Sequence, residues 1–145
     1  MSAQGALGAC LAAFLALPSW AGDKARSRQA YDQALAYYLA GDFKSAFSEV
    51  NASLAEDRNH PLAHALRARL WSVLGNAEEM RRDADRVIGR LGKSLSRLDE
   101  EELVARASAL SLRGEIKPAL AAFNAALRLN PKMALAHAGR SRLWR

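Results

Sequence analysis

The sequence predicts an all-α protein built from repeated pairs of helices. Residues 62–71 read LAHALRARLW and residues 135–144 read LAHAGRSRLW, so eight of ten positions are identical over a distance of 73 residues. Self-similarity of this kind is typical of repeat proteins. The composition agrees: hydrophobic residues make up 50% of the chain and aromatic residues only 7%, and Ala and Leu, which are abundant, lose little entropy in a helix.

A glycine followed by a polar residue divides each repeat into two helices. Gly41, Gly75 and Gly114 lie 34 and then 39 residues apart, and apolar residues recur at helical spacing on both sides of each. Glycine can end a helix in the left-handed conformation, and Asp42 or Asn76 can cap the helix that follows. Each repeat is therefore predicted to be a helix, a tight turn and a second helix.

Pairs of small and large residues recur in both helices of the repeat. In the first helices these pairs are Ala34/Tyr37, Ala68/Trp71, Ala107/Leu110 and Ser141/Trp144, and in the second helices they are Ala46/Val50, Met80/Ala84 and Ala119/Phe123. With Pro131 closing the third repeat, this pattern resembles the tetratricopeptide repeat (TPR) family over residues 27–145. The resemblance implies a right-handed solenoid of antiparallel helix pairs, with three units at about residues 27–60, 61–99 and 100–133 and a capping helix at 134–145.

The first 21 residues differ in composition from the rest of the chain, because they contain no charged side chain. An apolar run from Ala6 to Leu17 is followed by Pro18 and then by the small residues Ser19 and Ala21 at positions −3 and −1, which is typical of a secretory signal peptide cleaved after Ala21. An uncleaved membrane anchor, or a cytosolic protein with an apolar N-terminal segment, is the alternative. We expect the mature protein, residues 22–145, to be periplasmic or secreted.

The single cysteine, Cys10, lies within this apolar segment. The sequence LGAC resembles a bacterial lipobox, but most of the apolar run follows the cysteine, so lipidation is the less favoured interpretation. Residues 22–145 contain no cysteine and therefore no disulfide, thiolate nucleophile or sulfur ligand.

No catalytic, metal or cofactor site is predicted. Of the three histidines, His60, His64 and His137, the last two hold equivalent repeat positions and have no carboxylate at ligand spacing in the sequence. No nucleophilic triad, phosphate-binding glycine loop or paired-carboxylate motif can be placed. We expect these histidines to pack between helices and the protein not to be an enzyme. The net charge of +6 is compatible with nucleic acid, but predicted export and the lack of interleaved aromatic residues argue against such a partner.

The TPR resemblance implies that the first helices line a concave groove that binds a protein or peptide partner. The groove residues carried over in this way are Tyr31, Leu35, Tyr38, Leu39, Leu62, Leu66, Arg69, Val73, Val104, Ser108, Leu112 and Arg142. Tyrosines, aliphatic residues and arginines suit a peptide with apolar side chains and an acidic group. The leading prediction is a non-catalytic adaptor of the bacterial cell envelope, in which Tyr31 and Tyr38 are accessible contacts whose removal leaves the helices intact.

A basic helix face supports an alternative function. Arg82, Arg86 and Arg90 recur at four-residue spacing, and Glu78 precedes Arg82 by one turn, which is typical of an ordinary salt-bridged surface. The alternative is a peripheral envelope protein whose basic face binds anionic lipid or polymer. The sequence does not fix the oligomeric state, and Trp144 is compatible with either a buried position under the cap or a dimer contact.

Overall fold

The computed structural model describes residues 19–145, with side chains from Asp23 onward, so Cys10 and nearly all of the predicted signal lie outside the described residues. Seven α-helices follow one another in this range, and it contains no strand. They are α1 (Ser19–Ala40), α2 (Phe43–Glu56), α3 (Pro61–Val73), α4 (Ala77–Leu91), α5 (Glu100–Leu112), α6 (Ile116–Leu129) and α7 (Ala134–Arg142), with a short 3₁₀ helix at Leu95–Arg97.

The helices pack as consecutive pairs, α1 with α2, α3 with α4 and α5 with α6, and α7 covers the last pair. The first helices also pack side by side, since α3 contacts α1 on one side and α5 on the other, and α5 contacts α7. The predicted all-α solenoid of antiparallel helix pairs is thereby confirmed. None of the described helices combines the length and the apolar composition needed to cross a membrane.

The turns within the pairs follow the predicted chemistry. Gly41, Gly75 and Gly114 have φ angles of 82°, 76° and 80°, in the left-handed region that side chains with a Cβ rarely adopt. The Asp42 carboxylate accepts a hydrogen bond from the Ser45 N–H at 3.1 Å and so caps α2. The longer link before α5 holds the 3₁₀ helix and ends in a complete capping box, Asp99 with Glu102.

Alanines allow the helices to approach closely. Ala34, Ala68 and Ala107 have no exposed surface, so the small position of the repeat lies where neighbouring helices meet. The large position that follows varies: Leu110 is buried, whereas Trp144 is 73% exposed and lies beyond the end of α7. Trp144 is therefore not part of the core beneath the cap, which removes one of the two alternatives for this residue.

The two LAHA segments make the same hydrogen bond. The Nε2 atom of His64 lies 2.8 Å from the carbonyl oxygen of Arg58, and that of His137 lies 2.7 Å from the carbonyl oxygen of Pro131. In both cases the histidine reaches back six residues to the turn before its own helix. These histidines thus fix the entry into α3 and α7. His64 is buried, whereas His137 is exposed, so the expectation that His137 packs between helices is wrong.

The arginines of the two segments also occupy equivalent places. Arg67 donates a hydrogen bond to the Asn51 side chain at 3.0 Å, and Arg140 donates one to Asn124 at 3.1 Å. Each bond joins a first helix to the second helix of the preceding pair. The repeat at 73 residues therefore extends from the sequence to the contacts between units.

One charged residue of α4, Asp83, belongs to a buried ion cluster with two residues of α3. The Asp83 carboxylate is 4% exposed as a residue, accepts two hydrogen bonds from Arg67 at 2.8 Å and lies 3.1 Å from Nδ1 of His64. Burial acts to raise the pKa of Asp83, but the hydrogen bonds from Arg67 and His64 outweigh it and hold the pKa below its ordinary value. This carboxylate connects α3 to α4.

Between α6 and α7, one side chain is larger and one is smaller than at the equivalent positions of α2 and α3. Val50 on α2 corresponds to Phe123 on α6, and Leu66 on α3 corresponds to Gly139 on α7, each 73 residues apart. Phe123 is fully buried, and a β-carbon added at Gly139 would overlap its ring. The absence of a side chain at Gly139 therefore leaves room for the Phe123 ring.

Candidate functional site

The first helices enclose a cavity of about 180 Å³ on one side of the solenoid. Residues of α1, α3, α5 and α7 line it, and ten of the twelve predicted groove residues are among them: Tyr31, Leu35, Tyr38, Leu39, Leu62, Leu66, Arg69, Val104, Ser108 and Arg142. We refer to this cavity as the groove. Its position on the side formed by the first helices is the one that the TPR resemblance implies.

Two predicted residues do not line the groove. Val73 and Leu112 are the last residues of α3 and α5. Val73 is 48% exposed, and Leu112 packs against the core.

The sequence prediction also missed four lining residues, namely Ala65, Ala134, Leu135 and Ala138. The repeat itself contained the signal for one of them, because Leu135 corresponds to Leu62, a predicted groove residue, after a shift of 73 residues. The cap therefore contributes to the groove as fully as the helices of the complete pairs do.

The groove has a buried floor and an exposed rim. Leu62, Leu66 and Val104 are less than 9% exposed, whereas Leu39 at the rim is 68% exposed. Tyr31 is only 3% exposed, its ring stacks on His60 with centroids 5.2 Å apart, and burial raises its pKa. The expectation that Tyr31 is an accessible contact is therefore corrected: it is a wall of the groove, and its removal would leave a cavity.

Two arginines lie at one end of the groove, where α1, α3 and α7 finish. Arg69 and Arg142 hold equivalent positions in the repeat. Burial lowers the pKa of the Arg69 guanidinium, the nearby Arg142 charge lowers it further, and the Tyr38 hydroxyl acts in the opposite direction. None of the described residues that line the groove is a carboxylate. This end of the groove therefore carries positive charge without a compensating acid.

An ion pair bridges the opposite end. Arg28 of α1 donates hydrogen bonds to both carboxylate oxygens of Glu101 on α5, at 2.6 and 2.8 Å, and its guanidinium also lies 5.9 Å from the centre of the Tyr31 ring. Because α3 packs between α1 and α5, the pair spans one helix. The two ends of the groove thus differ in charge, because Arg28 is paired with both Glu101 and Asp32, whereas no carboxylate among the described lining residues compensates Arg69 and Arg142.

The three arginines of the predicted basic helix face lie on α4 in two different environments. Arg82 donates hydrogen bonds of 2.7 Å to both Glu78 and Glu79, so its charge is compensated. Arg86 and Arg90 instead line a second cavity, separate from the groove. The three arginines therefore do not form one continuous basic face.

Among the described residues, no group of three or more histidine, cysteine and acidic side chains is placed to hold a metal ion. The buried His64 has both ring nitrogens engaged, one with a carbonyl oxygen and one with Asp83. The arrangement is suited to binding by shape, apolar contact and charge.

Stacked helix pairs, tight glycine turns and a groove lined by first helices define a TPR-like solenoid. Solved structures are similar in fold. A thermophilic TPR protein of Thermus thermophilus has 19% sequence identity and a TM-score of 0.51, with 81% of this chain and 64% of that chain covered. The first TPR domain of human RPAP3 has 14% identity and a TM-score of 0.49, with 82% and 90% covered.

The first TPR of Spaghetti (RPAP3), bound to the HSP90 peptide SRMEEVD, has 14% identity and a TM-score of 0.48, with 83% of this chain and 92% of that chain covered. No protein-family model matches the sequence, and neither does any curated protein. At 19% identity, the likeness to the Thermus thermophilus protein is one of fold.

Proposed function

We propose that this protein is a non-catalytic module that binds a peptide segment of a partner protein in the groove. The observation that carries the proposal is the groove itself, in which four helices supply a largely apolar lining together with two arginines and no carboxylate among the described residues. A ligand that matches it has apolar side chains and an acidic group placed to meet Arg69 and Arg142.

The apolar half of this match comes from exposed hydrophobic residues at the rim. Leu39 is 68% exposed, and Leu35, Tyr38 and Leu135 are only partly covered by the core. Contiguous apolar surface of this kind marks interaction sites, because covering it removes it from water. A partner that lies along α1 and α7 would cover these four side chains together.

The match to an acidic group comes from Arg69, whose guanidinium is partly shielded from water. A guanidinium shielded from water interacts strongly with a carboxylate, which it can bind through two parallel hydrogen bonds. Arg142, from the cap, is close enough to affect the pKa of Arg69, so the two like charges repel one another across the groove. An acidic group between them would relieve that repulsion.

We expect Leu39→Glu to weaken peptide binding about tenfold, because it places a negative charge on the apolar rim and removes a hydrophobic contact. The measurement begins with selection of peptides from a displayed random library on the purified chain, followed by titration of one selected synthetic peptide. The matched control is Leu129→Glu, since Leu129 is 60% exposed near the end of α6 and outside the groove. Equal effects of the two substitutions, or no effect of either, would contradict the proposal.

The charge match is tested with the same peptide. Replacing its acidic group by an amide should weaken binding to the unmodified protein, and Arg69→Gln with Arg142→Gln should weaken it by a similar factor. The two changes combined should add little to either alone, because both remove the same interaction. Additive losses of binding free energy would show that the acidic group of the peptide binds away from Arg69 and Arg142.

We further propose that the module acts in the bacterial cell envelope after export, on the basis of the signal-like residues 1–21. Helix α1 begins at Ser19, so cleavage after Ala21 would shorten it by three residues and leave Asp23 in its new first turn, where a carboxylate favours the helix dipole. We expect the exported protein to begin at Gly22, as measured by mass spectrometry of fractionated cells. Ala21→Arg should block processing; a full-length cytosolic product from the unmodified chain would overturn this part.

A further inference from the structure

A second cavity lies away from the groove, between α4 and the turn that precedes α3. Its volume is about 210 Å³. Three of its lining residues are arginines, and none of the described lining residues is acidic; the lining consists of Arg58, Asn59, Pro61, His64, Arg86, Val87, Arg90 and Leu91. We propose that this cavity is a binding site for a phosphate group.

The three arginines come from two separate, well-anchored elements. Arg86 and Arg90 lie one turn apart on α4, so both side chains leave the same face of the helix. Arg58 lies in the turn, where its carbonyl oxygen accepts the hydrogen bond from His64 Nε2. His64 is buried and is held in turn by Asp83. The backbone of the turn is thereby fixed opposite α4, while the Arg58 side chain stays exposed.

These three positive charges lack acidic partners among the described residues. Other arginines of the same region are paired, Arg82 with Glu78 and Glu79 and Arg113 with Asp85 and Glu115, whereas Arg58, Arg86 and Arg90 form no ion pair within the described part of the chain. Three like charges around one cavity repel one another. A bound anion would turn this repulsion into attraction.

Packing does not require arginines at these positions. In the first pair of helices, the residues equivalent to Arg86 and Arg90 are Ala52 and Glu56, and in the third pair they are Ala125 and Leu129. The position of Arg58 is held by Pro131 before α7. The same fold is therefore built elsewhere in this chain without any of the three charges, which points to a role other than stability.

A phosphate group matches both the charge and the lining. It carries nearly two negative charges at neutral pH and several strong acceptor oxygens, and guanidinium groups bind such oxygens through paired hydrogen bonds. Pro61, Val87 and Leu91 add apolar walls, which limit competition from water. The cavity is open on one side, so the phosphate can belong to a soluble compound or to a lipid headgroup.

The test uses the whole purified chain and two probes, inorganic phosphate titrated at constant ionic strength and vesicles of phosphatidylcholine with or without phosphatidate. Arg86→Gln with Arg90→Gln should weaken phosphate binding at least about tenfold, because each substitution removes a charge-assisted hydrogen bond. The matched control is Arg81→Gln with Arg82→Gln, which makes the same change in net charge on the same helix outside the cavity. Arg58→Gln provides an independent variant on the other wall, and thermal unfolding verifies that each variant is folded.

Loss of phosphate binding with Arg86/Arg90 and with Arg58, but not with Arg81/Arg82, would support the proposal. If the same variants also lose phosphatidate vesicles, the source is a lipid headgroup; if vesicles never bind, it is a soluble phosphate compound. Equal losses in the control and the cavity variants would indicate general attraction of anions to a basic protein and overturn the proposal. Absence of phosphate binding by the unmodified chain would overturn it as well.

Discussion

Replacing Asp83 by alanine is expected to lower the free energy of unfolding by about 3 kcal/mol. The substitution leaves His64 without its carboxylate in the interior and breaks the paired hydrogen bonds to Arg67. Breaking a buried ion pair at one partner is costly because the other charge stays behind. The value lies at the lower end of the usual range, since the Arg67 side chain is 23% exposed and keeps its bond to Asn51. Urea unfolding of both proteins measures it.

The control is Asp85→Ala, two residues further along α4. Asp85 also pairs with an arginine, Arg113, at 2.7 Å, but its side chain is 57% exposed, so its removal should cost less than about 1 kcal/mol. Similar losses for the two substitutions would mean that the buried cluster does not contribute in the way its geometry indicates.

The same cluster gives stability a defined dependence on pH. The pKa of Asp83 in the folded protein lies below the ordinary value of 3.8, so the unfolded chain takes up this proton first as the pH falls. The contribution of Asp83 is therefore complete above about pH 4 and is lost as the pH drops through the lower pKa of the folded state. Unfolding measured from about pH 5 to about pH 3 should lose less stability in Asp83→Ala than in the unmodified protein.

Truncating Phe123 to alanine is expected to lower the free energy of unfolding by about 3–5 kcal/mol, because the ring is fully buried and its neighbours relax only partly into the space left.

Gly139→Ala tests the residue that faces the Phe123 ring. Alanine in a helix ordinarily stabilises by about 1 kcal/mol relative to glycine, but here the new methyl group would overlap the ring, so we expect a loss of about 1–3 kcal/mol.

The control for the glycine is Gly89→Ala on α4, where an added β-carbon would meet no atom within 4 Å. This substitution should stabilise the protein, with the sign opposite to that at position 139. A transplant gives a further check: Phe123→Val together with Gly139→Leu recreates the residues of Val50 and Leu66. The double variant should be more stable than the sum of the single effects predicts. Strictly additive changes in the free energy of unfolding would show that the two positions are not coupled.

The fold was predictable because its signals are local and repeated. Each turn glycine lies between two helical patterns, and the tight turn leaves the chain few ways to pair its helices. Burial of individual charged residues was not predictable in this way. Asp83 reads as one more surface acid on a charged helix, and only the packing of α3 against α4 shows that Arg67 and His64 meet it from the neighbouring helix.

The groove was partly predictable for the same reason. Helix phase places Leu62, Leu66 and Arg69 on one face, and the TPR resemblance indicates which face is concave. Phase alone does not say how deep a residue lies: Tyr31 is covered because His60 stacks on its ring. The second cavity was not predictable, since Arg58 approaches Arg86 and Arg90 only after the turn is fixed by His64.

The bridge between Arg28 and Glu101 has a mechanical consequence. A solenoid of stacked helix pairs can bend, because small rotations between neighbouring pairs add up along the array. This bridge joins the first pair of helices to the third at one end of the groove. With both side chains well exposed, it contributes no more than about 1 kcal/mol, which thermal motion overcomes readily. The end of the groove at Arg28 and Glu101 can therefore widen for a bulky ligand at little cost in free energy. Added salt screens the bridge and lowers this cost further.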